Sequence, residues 1–147
     1  MASPITELLN AALNSIHELA TIQTEKPSMV SAPILQTDYG VLVGIVGAIK
    51  GRLLILGESA MFSQAGLAMY GMKLSDEMLE SFVGEFGNSV AGHTATKLYD
   101  QGVKIDITPP TTMKGHVKLG GFSKAIEVPF VTSDGASGQL VLAVEES

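Results

Sequence analysis

Residues 75–102 read SDEMLESFVGEFGNSVAGHTATKLYDQG, and their periodicity decides the architecture. At about 100° per residue, Leu79, Phe82, Val83, Phe86 and Val90 gather on one side, while Ser81, Glu85, Asn88 and Gly92 fall on the other. This is the pattern of a long amphipathic helix. Ser75 stands where an N-cap is needed, Asp76 and Glu77 lie at the positive end of the helix dipole, and Gly102 marks the stop. The apolar side is expected to pack on a sheet.

The flanking sequence supplies that sheet. Upstream, short β-type runs occur at 34–39, 41–49 and 53–56, with Lys50-Gly51 expected as a tight turn. Glu58 to Tyr70 is expected to be helical, with Ser59 as its cap and Gly71 at its end. Downstream, Val103 to Ile107 runs into Pro109-Pro110, and 125–131 and 139–144 form a hairpin across the loop 133–138. At the N-terminus, Ile5, Leu8, Leu9, Ala12, Leu13 and Ile16 recur at helical spacing behind Ser3 and Pro4. This predicts a helix over about 4–21 and a connector over about 22–32. Helices grouped with antiparallel strands joined by short turns give an α+β fold. The expectation is one domain over 1–147, with a largely antiparallel sheet and the long and N-terminal helices packed on one face.

Composition narrows the function. A chain of 147 residues that is 46% hydrophobic fits one domain with a continuous core. Its net charge of −6 speaks against a phosphate-backbone partner, so nucleic acid is not expected. With no cysteine, thiolate metal sites and disulfides drop out, and His17, His93 and His116 have no ligand-type spacing. Met1-Ala2-Ser3-Pro4 lacks a basic region followed by an apolar run, and the apolar stretch 40–49 is too short to span a bilayer. The reading is a cytoplasmic protein with no membrane partner.

The polar side of the long helix is the candidate site. Glycines at 84, 87 and 92 each cost a helix about 1 kcal/mol relative to alanine. One reading is a contact surface that lets another protein approach the backbone and presents a carboxylate, Glu85, beside a carboxamide, Asn88. The other is a solvated face whose glycines relieve packing against a neighbouring element of the same chain.

Ser81, Glu85 and Asn88 follow the order Ser, three residues, Glu, two residues, Asn, and Pro110 follows that Asn with 21 residues between. In this the chain resembles the CheC/CheX/FliY family of response-regulator phosphatases. That family carries Asp or Ser, Glu and Asn at the same spacing, with a proline about one residue farther on than here. The run Asn88-Ser89-Val90-Ala91-Gly92 and the segment Ile107-Thr108-Pro109-Pro110-Thr111 are similar too. The resemblance covers about residue 33 to the end, and a single clear motif places it nearest the CheX branch.

The resemblance implies an enzyme that removes the aspartyl phosphate of a CheY-like response regulator. Asn88 would position a water, Glu85 would pair with the regulator's lysine, and Ser81, Gly84, Gly92 and Pro110 would contact the partner. No cofactor of its own is implied, since the receiver domain brings Mg, and CheX-like proteins are homodimers. The alternative is a non-catalytic interaction module of the same superfamily, in which the helix only docks. Ser3, Glu7 and Asn10 repeat the spacing in the first helix. Without the glycines and the Pro-Pro segment they are expected to face solvent.

Overall fold

The computed structural model describes residues 3–30, 34–118 and 120–145. Met1 and Ala2, Ser31 and Ala32 at the end of the expected connector, and Glu146 and Ser147 lie outside these residues, as does the side chain of His116. Among the described residues three helices and eight strands follow in the order α1 (Pro4–Leu19), β1 (Ile22–Thr24), β2 (Ser28–Val30), β3 (Ile34–Gly47), β4 (Lys50–Gly57), α2 (Ser59–Tyr70), α3 (Asp76–Asp100), β5 (Ile105–Ile107), β6 (Thr111–Lys118), β7 (Lys124–Thr132) and β8 (Ser137–Glu145).

The strands make one antiparallel sheet ordered β1-β7-β8-β4-β3-β5, with β2 also on β7 and β6 also on β3. The α+β architecture is as expected. The stretch 22–32 is not a plain connector, however, because its residues 22–24 and 28–30 are β1 and β2, which pair with β7. The turn between β3 and β4 falls at Ala48-Ile49 and not at Lys50-Gly51. Gly51 lies within β4, where a Cβ would come 2.4 Å from the Ala143 carbonyl oxygen, so it is there to admit β8.

Alternation along the strands separates two faces. Val41, Val43, Ile45, Leu53, Ile55, Leu140 and Leu142 join the core under the helices. The intervening Leu54, Leu56, Val141 and Ala143 form a second cluster with Ala125, against which Leu42, Met113 and Phe122 pack. All of Leu53 to Leu56 are buried, which identifies β4 as the central strand. The Arg52 guanidinium donates to the Gly120 carbonyl and ties the β6–β7 link across this second face.

The helices sit as their caps dictate. The Ser3 hydroxyl accepts from Thr6 N–H at 3.2 Å and starts α1, and Ser75 accepts from Met78 N–H at 3.3 Å and starts α3. Ser59 is not the cap of α2 but its first residue, and its N–H donates to the Asp38 carboxylate at 3.0 Å. Helix α3 lies on β3 at a very close approach. A Cβ on Gly87 would stand 2.4 Å from a Val41 methyl, so only hydrogen fits there. On its other flank α3 meets α1 through buried hydroxyls, Thr94 Oγ1 lying 3.4 Å from Ser15 Oγ, while each also donates within its own helix, Thr94 to the Val90 carbonyl and Ser15 to the Ala11 carbonyl, both at 2.7 Å. None of the helices among the described residues is long and apolar enough to cross a membrane.

Candidate functional site

The outward face of α3 carries Glu85 and Asn88, both exposed and one turn apart. They line one groove with Gly84 and with Ile107, Thr108, Pro109 and Pro110. The far wall of this groove comes from an irregularity at the sheet edge. β5 ends with Ile107 opposite Ile45, and β6 begins with Thr111 opposite Leu42. Residues 108–110 therefore stand against only Val43 and Gly44, and the extra residue arches outward. The arch is pinned by Thr108, whose Oγ1 accepts from Gly44 N–H at 2.8 Å and whose own N–H donates to the Gly44 carbonyl at 3.0 Å. Prolines are suited to such an edge, since they have no N–H to leave unpaired.

On the opposite side of Glu85 runs a second, more apolar groove lined by Tyr70, Met72, Leu74, Glu77, Met78, Ser81 and Phe82. Glu85 borders both. Its Oε2 accepts a hydrogen bond from the Tyr70 hydroxyl at 2.9 Å. That bond, with some burial and the nearby negative charge, raises the Tyr70 phenol above its ordinary value.

The structure thus brings Gly84, Glu85, Asn88 and Pro110 to one groove and places Ser81 one turn back, in the neighbouring one. Gly92 lies farther along α3 and lines neither. The glycines divide between the two readings the sequence left open. Gly84 is buried, with Thr112 3.3 Å from a would-be Cβ, and Gly87 is spent on Val41; both serve packing within the chain. Gly92 has nothing within 4 Å and leaves the helix bare toward solvent. Sequence reasoning missed Thr108, Gly44 and Tyr70, whose contacts join segments far apart in the chain. The one visible hint was Thr108 standing directly before the proline pair.

Among the described residues no cluster of three or more His, Asp or Glu is placed to hold a metal ion. His93 is exposed near Glu18 at 3.9 Å, on the rim between α1 and α3. Of the N-terminal echo, Ser3 and Asn10 are exposed and Glu7 is half-buried. Glu7 and Asn10 line a groove with Asn14, Lys97 and Asp100, where no proline arch stands, and Ser3 is used as the α1 cap.

A family model described as chemotaxis phosphatase CheX matches residues 39–120. The CheY-P phosphatase CheX of Thermotoga maritima is 33% identical over 131 residues, covering 85% of this chain and 84% of its own. A CheC-like superfamily protein from Shewanella sp. PV-4 superposes with a TM-score of 0.78 at 25% identity, over 97% of each chain. CheX from Borrelia burgdorferi, solved in complex with CheY, BeF3 and Mg, gives 0.77 at 25% identity, over 99% of this chain and 100% of that one. With the motif helix, the antiparallel sheet and the proline arch all in place, the chain belongs to the chemotaxis phosphatase CheX family.

Proposed function

We propose that this protein hydrolyses the aspartyl phosphate of a CheY-like response regulator, with Glu85 and Asn88 entering the regulator's active site. The observation that carries this reading is a carboxylate and a carboxamide, adjacent on one buried-backed helix, both facing out over a groove walled by Pro109 and Pro110. Family membership supports it, as do the relatives named for acting on CheY or solved with it.

An acyl phosphate is already activated, and a receiver domain brings the lysine and magnesium that offset the charge on its phosphoryl oxygens. What this chain must add is a water held in line with phosphorus. A carboxamide both donates and accepts hydrogen bonds while staying neutral, so Asn88 can orient the water without repelling the phosphoryl group. The water oxygen bonds to phosphorus as the bond from phosphorus to the aspartyl oxygen breaks. The aspartate departs as a carboxylate, and inorganic phosphate keeps the water's protons. Glu85 pairs with the receiver lysine and fixes the register of the two proteins. Positioning of this kind supplies much of the barrier reduction in such reactions. The reading needs no nucleophile, cofactor or metal bound by this chain.

The test is phosphate release from a phosphorylated CheY-like receiver by the wild-type protein and Asn88→Ala. Loss of stimulated hydrolysis with binding retained supports the reading. Full turnover by the variant overturns it, and binding with no turnover by the wild type would point to a docking module instead. The same reading includes a homodimer formed through a sheet edge, which a molar mass by light scattering checks directly.

A further inference from the structure

Glu85 does not stand free on the helix surface. Tyr70, the last residue of α2, donates its hydroxyl to Glu85 Oε2 at 2.9 Å, and several features of the fold hold it there. The Tyr70 ring packs edge-on against Phe82, with centroids 5.7 Å apart and planes at 75°. Phe82 is buried and lies one turn before Glu85, so the ring and the carboxylate are referenced to the same stretch of helix. Gly71 ends α2 immediately after Tyr70, at φ +71°, and its N–H caps the Leu67 carbonyl at 2.8 Å. Only a residue at ease in the left-handed region turns the chain there. Leu74, which follows, is seated against Gly66, where a Cβ would come within 2.5 Å. Tyr70 is 48% exposed, so packing on Phe82 holds one side of its ring and the hydrogen bond to Glu85 fixes the hydroxyl at the surface.

We infer that Tyr70 is a positioning residue for Glu85, occupying one carboxylate oxygen so that the other is presented to the cation of the regulator. The inference rests on the proposed reading of Glu85. A free glutamate has three rotatable bonds, and ordering it on binding costs affinity that a pre-ordered side chain does not lose. The hydrogen bond uses Oε2 and leaves Oε1 for the partner. It also draws no proton from the pair, because the raised pKa keeps the phenol protonated across the neutral range. Glu85 is thereby held at the border of the two grooves, facing Asn88 and the proline arch on one side and the apolar groove on the other.

The experiment is a double-mutant cycle on Tyr70→Phe and Glu85→Ala. Phenylalanine keeps the ring on Phe82 and removes only the hydroxyl. Turnover is measured on a CheY-like receiver phosphorylated by acetyl phosphate in magnesium, and binding on the same receiver loaded with beryllium fluoride. Tyr70→Phe is expected to raise KM and the dissociation constant about fivefold with kcat within about twofold. In the Glu85→Ala background the same change is expected to do nothing further. Equal losses in both backgrounds would mean that the hydroxyl supports the fold and not Glu85, and would overturn the inference, as would no loss in either. Asn88→Ala, run alongside, reports separately on the hydrolytic reading. Its failure to reduce turnover sinks that reading while the Tyr70–Glu85 coupling is still scored by binding. If neither binding nor turnover responds to Glu85→Ala, both fall.

Discussion

Thr108 and Gly44 are joined twice, the Gly44 N–H donating to Thr108 Oγ1 at 2.8 Å and the Thr108 N–H donating to the Gly44 carbonyl at 3.0 Å. The pair fixes where Pro109 and Pro110 stand relative to Asn88. Thr108→Ala keeps the backbone bond but leaves the Gly44 N–H without its side-chain acceptor, at an expected cost of about 1 kcal/mol. Turnover is expected to fall further than stability, by about tenfold, because an arch displaced by a fraction of an ångström misplaces the partner over the water site. Gly44→Ala should reproduce the effect, since its Cβ would meet Thr108 Oγ1 at 2.8 Å. Urea unfolding and phosphate release on the same samples decide it. If turnover tracks the stability loss alone, the arch has no part in the site.

The glycines of α3 predict opposite outcomes for one chemical change. Alanine gains about 1 kcal/mol over glycine in a helix interior. At Gly92, where nothing lies within 4 Å of the added methyl, that gain should appear in full as increased stability. At Gly87 the methyl would land 2.4 Å from Val41 Cγ2 on a packed sheet, and Gly87→Ala should be destabilising by a net of about 2 kcal/mol. Pairing it with Val41→Ala should recover part of the loss, which a helix-propensity account would not produce. Denaturant midpoints measure all of these. Stabilisation at both positions would contradict the packing described for α3 on β3.

Asn88 is exposed and makes no contact on which the core depends, so Asn88→Ala should change stability by less than about 0.5 kcal/mol. Its effect on stimulated hydrolysis is expected to be about a hundredfold or more, if orienting the water is its task. Asn88→Asp matches the shape but brings a negative charge toward a phosphoryl dianion and loses both donor hydrogens. It should be no better than alanine. An active aspartate variant would mean that the side chain works as a base, which is a different mechanism.

The helices and the central strand were readable because their signals are local. Ser75, Asp76 and Glu77 announce the start of α3, and Leu53 to Leu56 have the unbroken apolarity of a strand covered on both faces. The strands that went unseen are edges. β1 and β2 have three residues each, and β6 reads Thr111-Thr112-Met113-Lys114-Gly115-His116-Val117-Lys118, with Gly115 at φ +83°, so none carries an alternating apolar face. They exist because β7 and β3 offer unpaired backbone, which no window of sequence reports. Of the site, Glu85 and Asn88 were legible as neighbours from helical spacing alone. Tyr70, Thr108 and Gly44 were not, since their bonds close over 15 and 64 residues of chain.

The α1–α3 interface makes a last prediction, in pH. Lys97 Nζ lies 2.5 Å from Glu18 Oε1, and chiefly this bond, opposed by some desolvation and aided by the charges of Lys97 and His93, lowers the Glu18 carboxyl below its ordinary 4.5. A carboxyl whose pKa is lower in the folded than in the unfolded chain contributes stability that is present above its ordinary pKa. That contribution is lost as pH falls through the lowered value. Glu18→Gln should therefore be less stable than wild type at pH 7, with the difference closing as pH drops below about 4. Because the pair sits at the rim, the gap at pH 7 should be small and should shrink further in 1 M salt, where the screening length is about 3 Å. Thermal melts of the two proteins at pH 7 and pH 3.5, with and without salt, measure it. A gap as large at pH 3.5 as at pH 7 would mean that Glu18 acts through packing on α3 and not through its charge.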